Sequence, residues 1–169
     1  MKGPGDKEHV ARVLTDLAMP LGSYFVGGSG PLVLRGVRNA GDLDIGVTTA
    51  YWFQLERDPD WRLVTPDPQD PISACDPPYL EQMVLGLPVN VFFSWCHRPQ
   101  HKVENHDFNR IFREDVEKVG PWPCLSLAAL LRQKVDSYRE KDLRDIYAIA
   151  AILSSDITIE KIEAGRAEG

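Results

Sequence analysis

The stretch from Tyr24 to Val47, YFVGGSGPLVLRGVRNAGDLDIGV, constrains the fold of this chain more than any other. An apolar segment runs into Gly27-Gly28-Ser29-Gly30, a second apolar segment follows, and after a turn Asp42 and Asp44 bracket Leu43. Gly28 and Gly30 permit a tight turn, and Pro31 suits the first turn of a helix. The pattern predicts strand, turn, helix, turn, strand, with SYFVG and LDIGV as the strands. A strand that enters a Gly-Ser turn and then a helix presents backbone N–H groups and a hydroxyl, a seat for a phosphate. A Gly-Gly turn that is only a turn is the alternative. On a strand, residues i and i+2 point to one side, so the two carboxylates project together while Leu43 faces packing. Two close like charges call for a cation between them, and oxygen ligands of this kind suit Mg²⁺ or Mn²⁺. The plainer reading is a strand end where one aspartate caps a turn and the other is solvated.

The surrounding pattern predicts a mixed α/β (α+β) chain. Val10, Val13, Leu14 and Leu17 fall at helical spacing after Asp6, a candidate N-cap, and Pro20 and Gly22 end that helix. AYWFQLERDPDW reads as a short helix stopping at Pro59, and TPDPQDPISACDPP as a surface loop. YLEQMVL and PVNVFFSW flank the turn GLP as a hairpin, and CHRPQHKVENHDFNR reads as a polar loop. Leu127, Leu130, Leu131, Val135 and Tyr138 mark a helix, which breaks near Arg139–Lys141. A second helix follows, carrying Ile146, Ile149, Ala150 and Leu153, with Asp142 as its candidate N-cap. The expected organisation is one domain over 1–169, with a core of about 10–95 and a helical part of about 124–165.

The bulk numbers narrow the function classes. The chain has 169 residues, 43% of them hydrophobic and 26% charged, a globular composition. Its net charge of -6 argues against non-specific DNA binding, so contact with nucleic acid requires a local patch. The three cysteines form no CxxC pair, which points to a reducing, cytoplasmic setting. Neither a signal-peptide core nor a run of about 20 apolar residues is evident, so no membrane partner is expected.

Through GGSG…RGVRNAGDLDI the chain resembles the minimal nucleotidyltransferase superfamily, the DNA polymerase beta-like fold in its small prokaryotic or phage form. SLAALLRQKVDSYREKDLRDI extends the resemblance, because small members end in a helix with a lysine, an Arg-x-Lys-Asp break and an aspartate. Here those are Lys134, Arg139, Lys141, Asp142 and Asp145. The likeness covers Tyr24–Val47 and Leu127–Ile149 well and Val89–Phe93 in part. It implies a mixed sheet flanked by helices, Mg²⁺ on Asp42 and Asp44, and a nucleoside triphosphate held by Gly28, Ser29, Arg38, Lys134 and Lys141. It implies nucleotidyl transfer to RNA ends, proteins or small hydroxylated molecules, and small members also occur in toxin–antitoxin and phage-defence systems. A regulator that binds nucleotide, or only a partner protein, without transfer is the rival reading. The family's third carboxylate sits on a later strand. PVNVFF is the counterpart and carries Asn90 there, unless Glu81, Asp107 or Asp115 supplies the acid.

At helical phase Lys134, Lys141 and Asp145 share a face, which serves either phosphate or a solvated edge. Cys96, His97, His101 and His106 cluster, but at no trusted zinc spacing. HRPQHK is either a contact to RNA or another phosphate, or a solvated loop. Trp52, Trp61, Trp95 and Trp122 read as core or half-buried anchors.

Overall fold

The computed structural model describes residues 5–67, 69, 77–97, 104–137 and 139–167. The side chains of 94–97, 104–107, 109, 137 and 156–167 lie outside that description.

The chain opens with α1 (Lys7–Leu17). The Asp6 carboxylate accepts from the His9 N–H at 2.9 Å, and Ala18, at φ 46°, ends the helix in the left-handed region. Then come β1 (Tyr24–Val26), α2 (Gly30–Leu34), β2 (Leu43–Val47) and α3 (Thr49–Leu55). β3 (Arg62–Val64), β4 (Tyr79–Val84) and β5 (Leu87–Phe92) follow. β6 (Ser94–His97), β7 (Glu104–Asp107), α4 (Phe108–Glu114), β8 (Val116–Val119) and β9 (Trp122–Leu125) come next. α5 (Leu127–Ser137), a 3₁₀ turn (Glu140–Asp142) and α6 (Leu143–Ala167) close the chain.

Seven strands form one mixed sheet in the order β3-β4-β5-β2-β1-β9-β8, and β6 pairs with β7 apart from it. The pairs β2–β5 and β1–β9 are parallel, and the others in the large sheet are antiparallel. This is an α+β architecture, as the pattern of elements predicts. Alternation divides the packing into two clusters. Tyr24, Val26, Leu43, Ile45, Val89 and Val91 join Val10 and Val13 of α1 in one. Phe25 and Leu125 join Phe108, Leu130 and Ile149 of α4, α5 and α6 in the other. Phe25 meets Phe108 edge-on, with ring centroids 5.1 Å apart.

The β4–β5 hairpin turns at Leu85 and Gly86, both at positive φ (50° and 80°), the geometry that suits a two-residue hairpin loop. His9 clasps this turn. Its Nδ1 accepts from the Gly5 N–H at 2.9 Å, so the ring proton sits on Nε2 and is donated to the Leu85 carbonyl at 3.0 Å.

Several expectations are corrected. The segment read as a polar loop from Cys96 to Arg110 contributes to β6, β7 and α4. PVNVFFSW is not one strand, because β5 stops at Phe92 and β6 starts at Ser94. β3, β8 and β9 were not expected. β8 and β9 are four residues each, and VEKVGPWPCL gives only a weak alternating pattern. Pro123 is tolerated in β9 at its pairing with Lys118, and β9 is held on its other side by the Val26–Cys124 pairing with β1. Asp142 ends the 3₁₀ turn immediately before α6, and its carboxylate is bonded by Lys134 and Arg139. Trp52 and Trp61 are buried and Trp122 is half-buried against the core, the anchoring expected of them. The Trp95, Cys96, His97 and His106 side chains, and all of His101, lie outside the described residues, as does most of TPDPQDPISACDPP.

Candidate functional site

β1 delivers the chain into the turn Gly27–Gly30, closed by the Gly30 N–H donating to the Gly27 carbonyl at 3.0 Å. The Gly27 N–H donates to the Asp44 carbonyl at 2.8 Å, which pins the turn against β2. Gly28 sits at φ +54°, and a Cβ there would lie 2.2 Å from Asp44 Oδ2. Glycine at 28 is therefore required by the aspartate beside it: any side chain would push the carboxylate away. Ser29 occupies the N-cap position of α2, and its carbonyl accepts from Leu32 and Val33 at 3.0 and 3.1 Å. Its side chain makes no capping bond. α2 has five residues, so its dipole adds little to any anion site.

Asp42 lies just before β2, not on it, and is exposed, while Leu43 is fully buried. Asp44 is partly buried on the strand. Burial and then the charge of Asp42 raise the Asp44 carboxyl from 3.8 to about 6. The Asn90 amide, Lys134 and Arg139 pull the other way. A carboxylate that burial and a neighbouring acid hold above its ordinary value is one whose charge a bound cation stabilises.

The parallel register sets Asn90 directly beside Asp44, and the Asn90 amide nitrogen reaches Asp44 Oδ1 at 3.4 Å. Glu81 sits one strand further out, paired in register with Asn90 and ion-paired to Arg62. Asp115 is ion-paired to Arg132 at 2.8 Å, and the Asp107 side chain lies outside the described residues. Among the described residues no group of three or more His, Cys, Asp or Glu side chains gathers as a metal-ligand set. Two carboxylates remain suited to Mg²⁺, which keeps several waters and commonly takes only one or two protein carboxylates alongside substrate phosphates.

On the C-terminal side a buried ionic network lies within electrostatic reach of Asp44. Lys134 of α5 is 7% exposed and bridges Asp142 and Asp145, at 2.9 Å to each. Arg139 Nε donates to Asp142 at 2.6 Å, and Arg38 Nη1 donates to Asp145 at 2.6 Å. Burial raises the Asp142 carboxyl, but hydrogen bonds from Lys134 and Arg139 outweigh it and hold it below the ordinary value. Reading Lys134, Lys141 and Asp145 as one solvated helical face is therefore wrong. The 3₁₀ turn breaks the helical phase, so Lys134 and Asp145 are buried together and Lys141 is exposed. The Arg38 and Arg139 side chains stay partly open, at 41% and 55% exposure. Asp142, Asp145 and Arg139 are the site residues that spacing undervalued. Their partners lie across a helix break and, for Arg38–Asp145, 107 positions away.

The class defined by the fold and the site is an α+β protein with an acidic pair set between a glycine turn and a buried cation network. No family model matches the chain, and no curated protein matches it. Among solved structures, a protein of Thermotoga maritima described as a "putative nucleotidyltransferase" is similar at 16% identity and a TM-score of 0.47. The match covers 96% of this chain and 92% of that one. No helix among the described residues is long and apolar enough to cross a membrane.

Proposed function

We propose that the protein binds a nucleoside triphosphate together with Mg²⁺ or Mn²⁺ and transfers a nucleotidyl group to an acceptor hydroxyl. The supporting observation is Asp44 itself. It is packed against Gly28, its pKa is raised by burial and then by Asp42, and it lies within electrostatic reach of Lys134 and Arg139. Asp42 and Asp44 hold the cation, which when bound supplies charge neutralisation at the phosphates. The Gly27–Gly30 turn with the Ser29 hydroxyl borders the phosphates. Arg38 and Arg139 supply the partly open cations and Lys141 an exposed one, while Lys134 contributes a fixed positive potential from beneath. In the reaction the acceptor hydroxyl gives up its proton to solvent and its oxygen bonds to the α-phosphorus as the bond to pyrophosphate breaks. Asn90 orients Asp44 through its amide.

A second reading, a nucleotide-binding regulator without transfer, draws on one observation. An amide rather than a carboxylate stands beside Asp44, so the site has less charge to offer a second cation. Titration calorimetry with Mg²⁺ and each nucleoside triphosphate, beside incubation with α-³²P nucleotides and cellular RNA or protein, tests both. Binding lost in Asp42→Asn and Asp44→Asn, with label transferred by the parent, is expected for an enzyme. Binding without transfer selects the regulator, and no binding of any nucleotide by the parent refutes both.

A further inference from the structure

Two rows of side chains cross the sheet on the face that carries Asp44. The first is polar. Strand register sets Asp44, Asn90, Glu81 and Arg62 side by side across β2, β5, β4 and β3. The second lies two residues along and is aromatic. Gly46 pairs with Phe92, and Tyr79 stands across β4–β5 from Phe92, with ring centroids 5.2 Å apart and planes tilted by 32°. Near β1 this second row is sealed, because the Phe25 ring covers Gly46 and is itself buried against Phe108. Further out the cover thins: Phe92 still packs on the edge of the Phe25–Phe108 cluster but is only half-buried, and so is Tyr79 beside it. With strands about 4.8 Å apart and about 3.3 Å per residue, the aromatic pair lies on the order of 10 Å from Asp44. The Tyr79 phenol lies close enough to feel the charges of both Asp44 and Asp42.

We propose that this face seats the acceptor, and that the acceptor is a nucleoside: its ribose hydroxyls lie over the Asp44–Asn90 end of the polar row and its base stacks on Tyr79 and Phe92. The assignment rests on the nucleotidyltransferase reading and names that site's second substrate. Three observations favour a nucleoside. An aromatic pair beside a polar row matches a ligand with a planar ring on one side and hydroxyls on the other. β4 and β5 are both paired on their two sides, so no main-chain groups are left there to bind an extended peptide. The Glu81 carboxylate is already matched by Arg62, so the row beyond the two aspartates offers no spare anion to a polycationic ligand.

The test measures dissociation constants of the full chain for four probes: adenosine, a single-stranded RNA hexamer with a free 3′ hydroxyl, ribose 5-phosphate, and inorganic triphosphate with Mg²⁺. Tyr79→Leu should weaken adenosine and the hexamer by about 5- to 100-fold, the range of one lost base–aromatic stack. Tyr79→Phe should bind them like the parent, and triphosphate binding should be equal in all three proteins. Binding of adenosine alone identifies a free nucleoside as the acceptor, whereas binding of the hexamer only identifies a strand end. The proposal is overturned if the parent binds neither base-bearing probe, if Tyr79→Leu binds them unchanged, or if ribose 5-phosphate binds as tightly as adenosine. Loss of triphosphate binding by the parent would instead count against the nucleotidyltransferase reading, and the base-bearing probes report on the aromatic seat independently of it.

Discussion

Replacing Asp44 by asparagine should make the protein more stable at neutral pH while removing its cation site. The side chain keeps its shape, so the contact with Gly28 persists and the Asn90 amide still finds an oxygen at position 44. What disappears is an ionised carboxylate that burial and Asp42 disfavour. Its pKa is raised from 3.8 to about 6, roughly two units, and each unit corresponds to ~1.4 kcal/mol. The upper bound is therefore about 3 kcal/mol, and about 1–3 kcal/mol is expected once water in the cleft screens part of the repulsion. A raised folded-state pKa means that the stabilising contribution is fully present below the unfolded value of 3.8 and is lost as pH rises through about 6. The gain from Asp44→Asn should thus be largest above pH 6 and vanish by about pH 4. In a chain of this length it corresponds to a Tm increase of roughly 3–10 °C at pH 7.5. Urea unfolding in EDTA at pH 7.5 and at pH 4 measures both limbs. Adding Mg²⁺ should stabilise the parent and leave the variant unmoved. A variant no more stable than the parent at pH 7.5, or an advantage that does not change with pH, would refute the reasoning.

Gly28→Ala should cost about 1–3 kcal/mol through its positive φ and the collision with Asp44, and should abolish Mg²⁺-dependent nucleotide binding. Gly36→Ala, also at positive φ (75°) but in open space, should cost stability and leave binding intact, and calorimetry on the pair separates the two effects. Lys134→Met removes the ammonium from between Asp142 and Asp145, which keep Arg139 and Arg38 as partners, so a loss toward the low end of about 3–5 kcal/mol is expected in urea unfolding. Asn90→Asp places a third carboxylate beside Asp44. It should destabilise the metal-free protein at pH 7.5 by about 1–2 kcal/mol, tighten Mg²⁺ binding and raise nucleotidyl transfer, all readable by melting with and without Mg²⁺ and by label transfer.

Local patterns made the N-terminal half of the fold legible. Asp6 caps α1, Pro31 sits in the first turns of α2, and Leu43 is buried while its neighbour Asp44 faces the other way, because capping, turn and alternation rules act over a few residues. The region from Ser94 to Leu125 was poorly legible. Its strands are four residues long, rich in polar or proline residues, and gain stability from partners distant in sequence.

The candidate site divides along the same line. By itself the sequence determined that a glycine turn precedes an acidic pair, that an amide stands in the later apolar run PVNVFF, and that a lysine and an Arg-x-Lys-Asp break lie near the end of the chain. These are matters of residue identity and short spacing. Only the tertiary structure decided what each residue does. Parallel pairing of β2 with β5 brings Asn90 to Asp44, and Gly28 is required by the carboxylate packed against it. The helix break buries Lys134 between Asp142 and Asp145, and Arg38 reaches Asp145 from the other half of the chain. Charge interactions depend on distance and on exclusion of water, and both are set by how the helices close over the sheet rather than by position along the chain.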